Sequence, residues 1–191
     1  MAEGKIENIK LVVIGGSAGS LEAMLKIIPK LREDLQIPII LVLHRKASND
    51  PILTELLSSK TRLAIKEIED KEPIAAHTIY IAPGDYHVLF EKDNTMSLDD
   101  SEKVNFSRPS IDVAFQSAAD IFGKRLVCIL LSGANADGTE GFKYVQQNGG
   151  TTIAQSPESA DVDFMPKHAI EQKAASLVYD TREITDYLNN M

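Results

Sequence analysis

Short apolar runs rich in Val, Ile and Leu recur along the chain, at Ile9–Ile14, Ile37–Leu43, Thr78–Ala82, Arg125–Leu131, Thr151–Ala154 and Ser176–Tyr179. Three of them, Ile9–Ile14, Ile37–Leu43 and Arg125–Leu131, show almost no polar alternation. That pattern belongs to strands buried on both faces, as in a parallel sheet. Between the runs the apolar spacing becomes helical. Leu21, Met24, Leu25, Ile28 and Leu31 share one face of a helix predicted over Leu21–Leu31. Further helices are predicted over Ile52–Ser59, opened by Pro51 behind an Asp50 cap, and over Ile111–Phe122. Gly141–Gln147 ends at Asn148-Gly149-Gly150, and Pro166 opens Lys167–Lys173. Asp180 and Glu183 form a capping box for Thr181–Asn189.

Strands alternating with helices predict an α/β fold, a doubly wound and mostly parallel sheet flanked by helices. The middle departs from this rhythm. Val88–Lys92 and Thr95–Leu98 flank Asp93-Asn94, a hairpin signal, read as an antiparallel addition to the main sheet. At 191 residues, with no repeat or linker, the chain is expected to form a single domain over 1–191.

Composition narrows the function classes. Apolar residues make up 43% and charged residues 25%, ordinary values for a globular protein. A formal charge of −8 and the lack of a Lys/Arg cluster argue against nucleic acid. No run approaches the ~20 apolar residues of a membrane span, and MAEGKIENIK lacks the apolar core of a signal peptide, so a cytoplasmic protein without membrane insertion is expected. The one cysteine, Cys128, lies inside an apolar strand and reads as a core residue.

Candidate chemistry sits where the core strands end, because ligands of open α/β sheets bind beyond the carboxyl ends of the strands. The first strand runs into Gly15-Gly16-Ser17-Ala18-Gly19, a G-x-S-x-G turn between strand and helix. Such a turn lifts a serine hydroxyl above the sheet, with helix amides beside it to meet negative charge. The second strand ends in His44, the residue type that takes a proton from serine. The strand at Arg125–Leu131 leads into Ser132-Gly133-Ala134-Asn135-Ala136-Asp137-Gly138, and Asp137 is the acid there that could orient the imidazole. Each residue alone has a blander reading: a Gly-rich turn or anion site, a structural histidine, a helix cap. His77, His87 and His168 are weaker candidates, His87 the strongest of them.

Taken together the motifs resemble the catalytic domain of chemotaxis-type (CheB-type) protein-glutamate methylesterases, along nearly the whole chain. The matching stretches are IGGSAGS around Ser17, the strand ending in His44, IAPGDYH at Ile81–His87, RPSID at Arg108–Asp112, LLSGANADG at Leu130–Gly138, and Met165-Pro166. The resemblance implies a serine hydrolase that removes methyl esters from glutamate side chains of chemoreceptor cytoplasmic helices, or of another methylated protein, and that also deamidates certain glutamines. It implies Ser17 as nucleophile, His44 as general base and acid, Asp137 as orienting carboxylate, and no metal or organic cofactor. The oxyanion and substrate-binding positions would be Ala18, Gly133, Ala134 and Asn135. A receptor helix as substrate calls for a shallow open groove over Ser17. The family usually carries an N-terminal receiver domain; its lack here would mean that such control is absent or lies on a separate regulatory protein.

The surroundings of the triad depart from the family. Ala18 replaces a Thr, Leu43 a Gln, Gly133-Ala134-Asn135 a Gly-Met-Gly, and Phe164-Met165-Pro166 a Gly-Met-Pro. These changes keep two other readings open: a scaffold or binding module of the same fold that has lost catalysis, and an anion- or nucleotide-binding domain using the Gly15–Gly19 turn.

Overall fold

The computed structural model describes residues 9–45 and 51–191. Seven strands form one parallel sheet, and three form a second, antiparallel sheet. The strands of the main sheet are β1 (Leu11–Gly16), β2 (Ile39–Leu43), β3 (Ala64–Glu67), β5 (Thr78–Ile81), β8 (Leu126–Leu130), β9 (Thr151–Gln155) and β10 (Leu177–Tyr179). Their order is β10-β9-β8-β1-β2-β5-β3. From β1 the chain first winds outward to β2 and on to β3 at the edge, with β5 filling the place between them, then returns to β8 and winds the other way through β9 to β10. The reversal opens a crevice at the carboxyl ends of β1 and β8, where ligands of doubly wound sheets bind.

The apolar runs are uniform because both faces are covered. Leu11, Val13, Ile40, Val42, Cys128 and Leu130 pack on one side against α3 (Ile111–Phe122), α4 (Thr139–Gln147) and α5 (Phe164–Glu171). Val12, Ile14, Ile39, Leu41, Val127 and Ile129 pack on the other against α1 (Ser20–Ile27), α2 (Ile52–Ser58) and α6 (Thr181–Asn189). Successive residues of one strand thus feed two cores. Cys128 is fully buried, and burial pushes its thiol well above its usual range, which suits a core residue.

Some predicted bounds shift for local reasons. The first helix stops at Ile27, and Pro29 carries the chain into a short 3₁₀ turn at Ile28–Lys30. The fifth begins at Phe164, placing Pro166 inside its first turn. The Asp180–Glu183 capping box is present on α6. The Asp50 cap lies outside the described residues. The predicted hairpin exists as β6 (His87–Phe90) and β7 (Thr95–Asp99), but it does not join the main sheet. It pairs with β4 (Glu72–Pro73) as a separate sheet, whose Val88, Phe90 and Met96 close the core over α3. Burial of those side chains against a helix decides its place.

The α3–α4 contact centres on Phe115 and Phe142, fully buried and stacked with ring centroids 5.3 Å apart. Phe142→Ala is expected to cost about 3–5 kcal/mol. A urea titration should show a lower midpoint with an unchanged slope.

Candidate active site

Ser17 follows β1 directly and turns the chain into α1. Its N–H donates to the Ser132 carbonyl (2.9 Å), and its carbonyl accepts from the Ser20 N–H (3.1 Å) and the Ser20 hydroxyl (2.6 Å). Gly19 completes the turn at φ +78°, and a Cβ there would lie 2.6 Å from Ser132 Oγ, so the turn needs glycine on both counts. Ser132 Oγ in turn donates to the Ala18 carbonyl at 2.7 Å. The elbow is therefore tied to the loop after β8. His44 leaves the neighbouring strand, and its N–H extends the β1–β2 ladder by donating to the Gly16 carbonyl (3.1 Å).

Asp137 lies in the loop before α4 with its side chain fully buried. Its Oδ2 accepts from His44 Nε2 (2.7 Å) and the Ile111 N–H (2.7 Å). Its Oδ1 accepts from Asn105 Nδ2 (2.9 Å), Ser110 Oγ (3.0 Å) and the Asp112 N–H (3.0 Å). Ser110 is the N-cap of α3, so the carboxylate sits on the positive end of that helix. Burial by itself would raise the carboxyl's pKa. The hydrogen bonds from His44, Asn105, Ile111 and Asp112 outweigh it and hold Asp137 below the ordinary carboxylate range.

An ionised carboxylate only accepts, so the bond to Asp137 assigns the proton of a neutral His44 to Nε2 and leaves Nδ1 as the acceptor. Asn135 faces that nitrogen: its Nδ2 lies 3.4 Å from Nδ1 while its Oδ1 accepts from the Asp137 N–H (3.1 Å). Among the described residues no hydrogen bond joins Ser17 Oγ to the imidazole. The fold thus couples His44 to Asp137 and sets Ser17 on the adjacent strand end, without closing the hydroxyl onto the ring.

The other expected positions divide in role. The Gly133 N–H is taken by the Val162 carbonyl (3.0 Å), and its own carbonyl accepts from Met165 (2.9 Å). Both backbone groups of Gly133 thus brace the loop. Ala18 and Ala134 are exposed, and their N–H groups make no hydrogen bond among the described residues. His87 is fully buried: Nδ1 accepts from the Ser110 N–H (3.1 Å) and Nε2 donates to the Glu102 carbonyl (2.9 Å). It fixes the start of α3, beside Asp137. His168 bonds Thr139 Oγ1 (3.0 Å) and stacks on Phe164, while His77 lies in an exposed turn.

Sequence reasoning missed Asn105, Ser110, Asp112 and Ser132 as parts of this site. Ser110 carried a readable signal, a serine placed to cap the predicted helix at Ile111. Asn105 carried none, because it reaches the site only through the folded loop.

Asp112 is a second buried carboxyl, sharing Asn105 with Asp137 and accepting from the Gly141 N–H (2.6 Å). Burial pushes its pKa up to about 6; the Gly141 bond opposes this and the charge of Asp137 adds to it. The folded protein therefore binds this proton more tightly than the unfolded chain. That contribution to stability is whole below about pH 3.8 and is lost as pH rises through about 6. The stability of wild type relative to Asp112→Asn, from urea midpoints, is expected to fall as pH rises across that window. A difference independent of pH would contradict the assignment.

The fold and sequence are those of a known family. The CheB methylesterase family model matches residues 12–188. A Leptospira interrogans relative is 41% identical over 179 residues, covering 94% of this chain and 93% of its own. A Thermotoga maritima protein named protein-glutamate methylesterase/protein-glutamine glutaminase is 36% identical over 94% of this chain and 53% of its own, so this chain spans about half of that relative. The crystal structure of the Thermotoga maritima CheB methylesterase catalytic domain superposes with a TM-score of 0.91 at 35% identity, covering 95% of this chain and 97% of that one. On sequence and fold together, the chain belongs to the CheB methylesterase family.

Proposed function

We propose that this chain is a protein-glutamate methylesterase, with Ser17, His44 and Asp137 as its proton relay. The observation that carries the reading is the 2.7 Å bond between His44 Nε2 and a buried carboxylate on a helix N-terminus. That bond leaves Nδ1 to serve the serine, the reverse of the nitrogen order in the serine-protease triad.

In the first step His44 Nδ1 takes the Ser17 proton as Oγ bonds to the ester carbonyl carbon. The carbonyl oxygen becomes an oxyanion, met by the N–H groups of Ala18 and Ala134. The carbon–methoxy bond breaks, and the leaving oxygen takes the proton from Nδ1 to depart as methanol. Water then gives a proton to Nδ1 as its oxygen bonds to the acyl carbon; the carbon–Oγ bond breaks, Oγ takes the proton back from Nδ1, and the glutamate is freed. Asp137 stays ionised throughout and holds the ring against each change of charge. The partly exposed Ser17 and exposed Ala18 and Ala134 suit an ester carried on a protein surface. The substrates are then glutamate methyl esters on cytoplasmic helices of chemoreceptors. Glutamine amides of the same helices are a second substrate, since relatives carry both names. Among the described residues no helix is long and apolar enough to cross a membrane, consistent with a cytoplasmic partner for such helices.

One observation favours a second reading, a binding module without catalysis. The Asn135 amide faces the lone pair that Ser17 would need, and the serine hydroxyl is not on the ring. An activated phosphonate probe separates the two: labelling at Ser17 in the folded protein supports the hydrolase, and an inert Ser17 supports the module.

Methanol release from methylated receptor membranes tests the reaction itself. Ser17→Ala is expected to lower the rate by about 10⁴–10⁶. Asp137→Asn, which disturbs the ring tautomer, should lower it by about 10⁴. Release by Ser17→Ala at the wild-type rate would end the proposal.

A further inference from the structure

The loop from β7 to α3 carries a feature that the reaction does not use. Asn105 and Phe106 are consecutive non-glycine residues in the left-handed region, at φ +51° and +61°. Such backbone is unfavourable for a bulky side chain and persists only where its surroundings over-determine it. They do so here. Val104 and Ser107 close the turn with two backbone hydrogen bonds (3.2 and 2.9 Å). Asn105 is anchored on Asp137 (2.9 Å) and Asp112 (2.8 Å). Arg108 Nη1 donates to the carbonyls of Asp100 (2.6 Å) and Ser101 (2.7 Å). The result of this bracing is Phe106 held 99% exposed, next to the catalytic histidine.

The turn borders a groove of about 550 Å³ that also touches His44, Arg45, Asp85, Lys103 and Arg108. Three cations and one acid line it, in a chain whose formal charge is −8. Arg45 pairs with Glu67, and Arg108 lies 4.0 Å from Asp85. The Lys103 ammonium has no ion pair or hydrogen bond among the described residues. The Nε atoms of Arg45 and Arg108 are buried without an acceptor among the described residues.

We propose that Phe106, Lys103 and Arg45 form a docking edge for an acidic amphipathic helix of the protein substrate. This rests on the methylesterase reading and names how that same site selects its substrate. Phe106 covers an apolar strip of the helix. Lys103 and Arg45 meet carboxylates about one helical turn from the scissile glutamate, the spacing at which helix side chains are neighbours. The charge excess of the groove against an otherwise acidic chain selects an acidic occupant over a basic one.

The test uses a synthetic acidic helical peptide carrying one glutamate methyl ester, and a second peptide whose flanking Glu residues are Gln. Fluorescence anisotropy in a Ser17→Ala background reads binding independently of turnover; methanol release in the catalytic protein reads kcat and KM. Phe106→Ala is expected to weaken binding of the acidic peptide about tenfold, as loss of one aromatic contact should. In the active protein the loss should fall on KM, with kcat little altered. Lys103→Glu should weaken the acidic peptide in the same way, less so at about 0.5 M salt, and should bind the two peptides with similar affinity. Wild-type affinity in both variants, or a loss confined to kcat, would overturn the proposal. Peptide binding that depends on Phe106 with no methanol release by wild type would instead overturn the esterase reading and leave the docking edge standing.

Discussion

The site depends on keeping one carboxylate ionised where almost no water reaches it. Taking a carboxylate out of water is costly unless fixed dipoles replace its hydration. Asp137 meets that cost with donors from four directions: the imidazole of His44, the amide of Asn105, the hydroxyl of Ser110 and the first N–H groups of α3. Removing any one of these leaves a buried charge less compensated. Because the folded state holds Asp137 below its ordinary range, this group supports folding above that range and withdraws support as pH falls through its folded value. The same carboxylate thus ties the proposed reaction to stability.

The sheet brings these donors together. Ser17 and His44 leave adjacent parallel strands, and Asp137 follows the strand on the other side of β1. The N-terminus of α3 must then come down onto that same edge. Gly15 allows this: a Cβ on it would lie 2.4 Å from Ile111 Cγ2. His87 holds the approach from the second sheet by bonding both Ser110 and Glu102. The small antiparallel sheet, which looked like an addition to the main sheet from sequence, therefore supports Asp137 through the first residue of β6.

Much of this was legible in the chain. Strands buried on both faces announce themselves, and β1, β2 and β8 appear where their apolar runs lie, with Ser17, His44 and Asp137 at or beyond their ends. What escaped notice had weak local signals. Strand β3, Ala64–Glu67, is an edge strand whose residues are half exposed, so it lacks an apolar run. Strand β4 is two residues long and ends in Pro73. Asn105 acts through a contact 32 residues away in sequence, which no local pattern encodes. The pairing of the Gly133 amide was hidden for a related reason. A loop beside a nucleophile suggests free amides, but tertiary pairing with Val162 and Met165 decides which amides stay free.

The departures from the family pattern can be sorted by what the changed side chains touch. Leu43 packs in the core behind the sheet, and Phe164 lies on the surface, stacked on His168. Neither touches the relay. Met165 keeps its place against Gly133, where a Cβ would come within 2.5 Å of its Cε, so the loop after β8 retains its support. Asn135 is different in kind. Its amide is oriented by the Asp137 N–H and points at the one imidazole nitrogen the serine needs. A contact of 3.4 Å is a weak hydrogen bond. A substrate that draws the serine hydroxyl onto Nδ1 therefore has little to displace. In the proposed relay the acid and base are already joined and the serine stays open, so substrate binding would close the last contact.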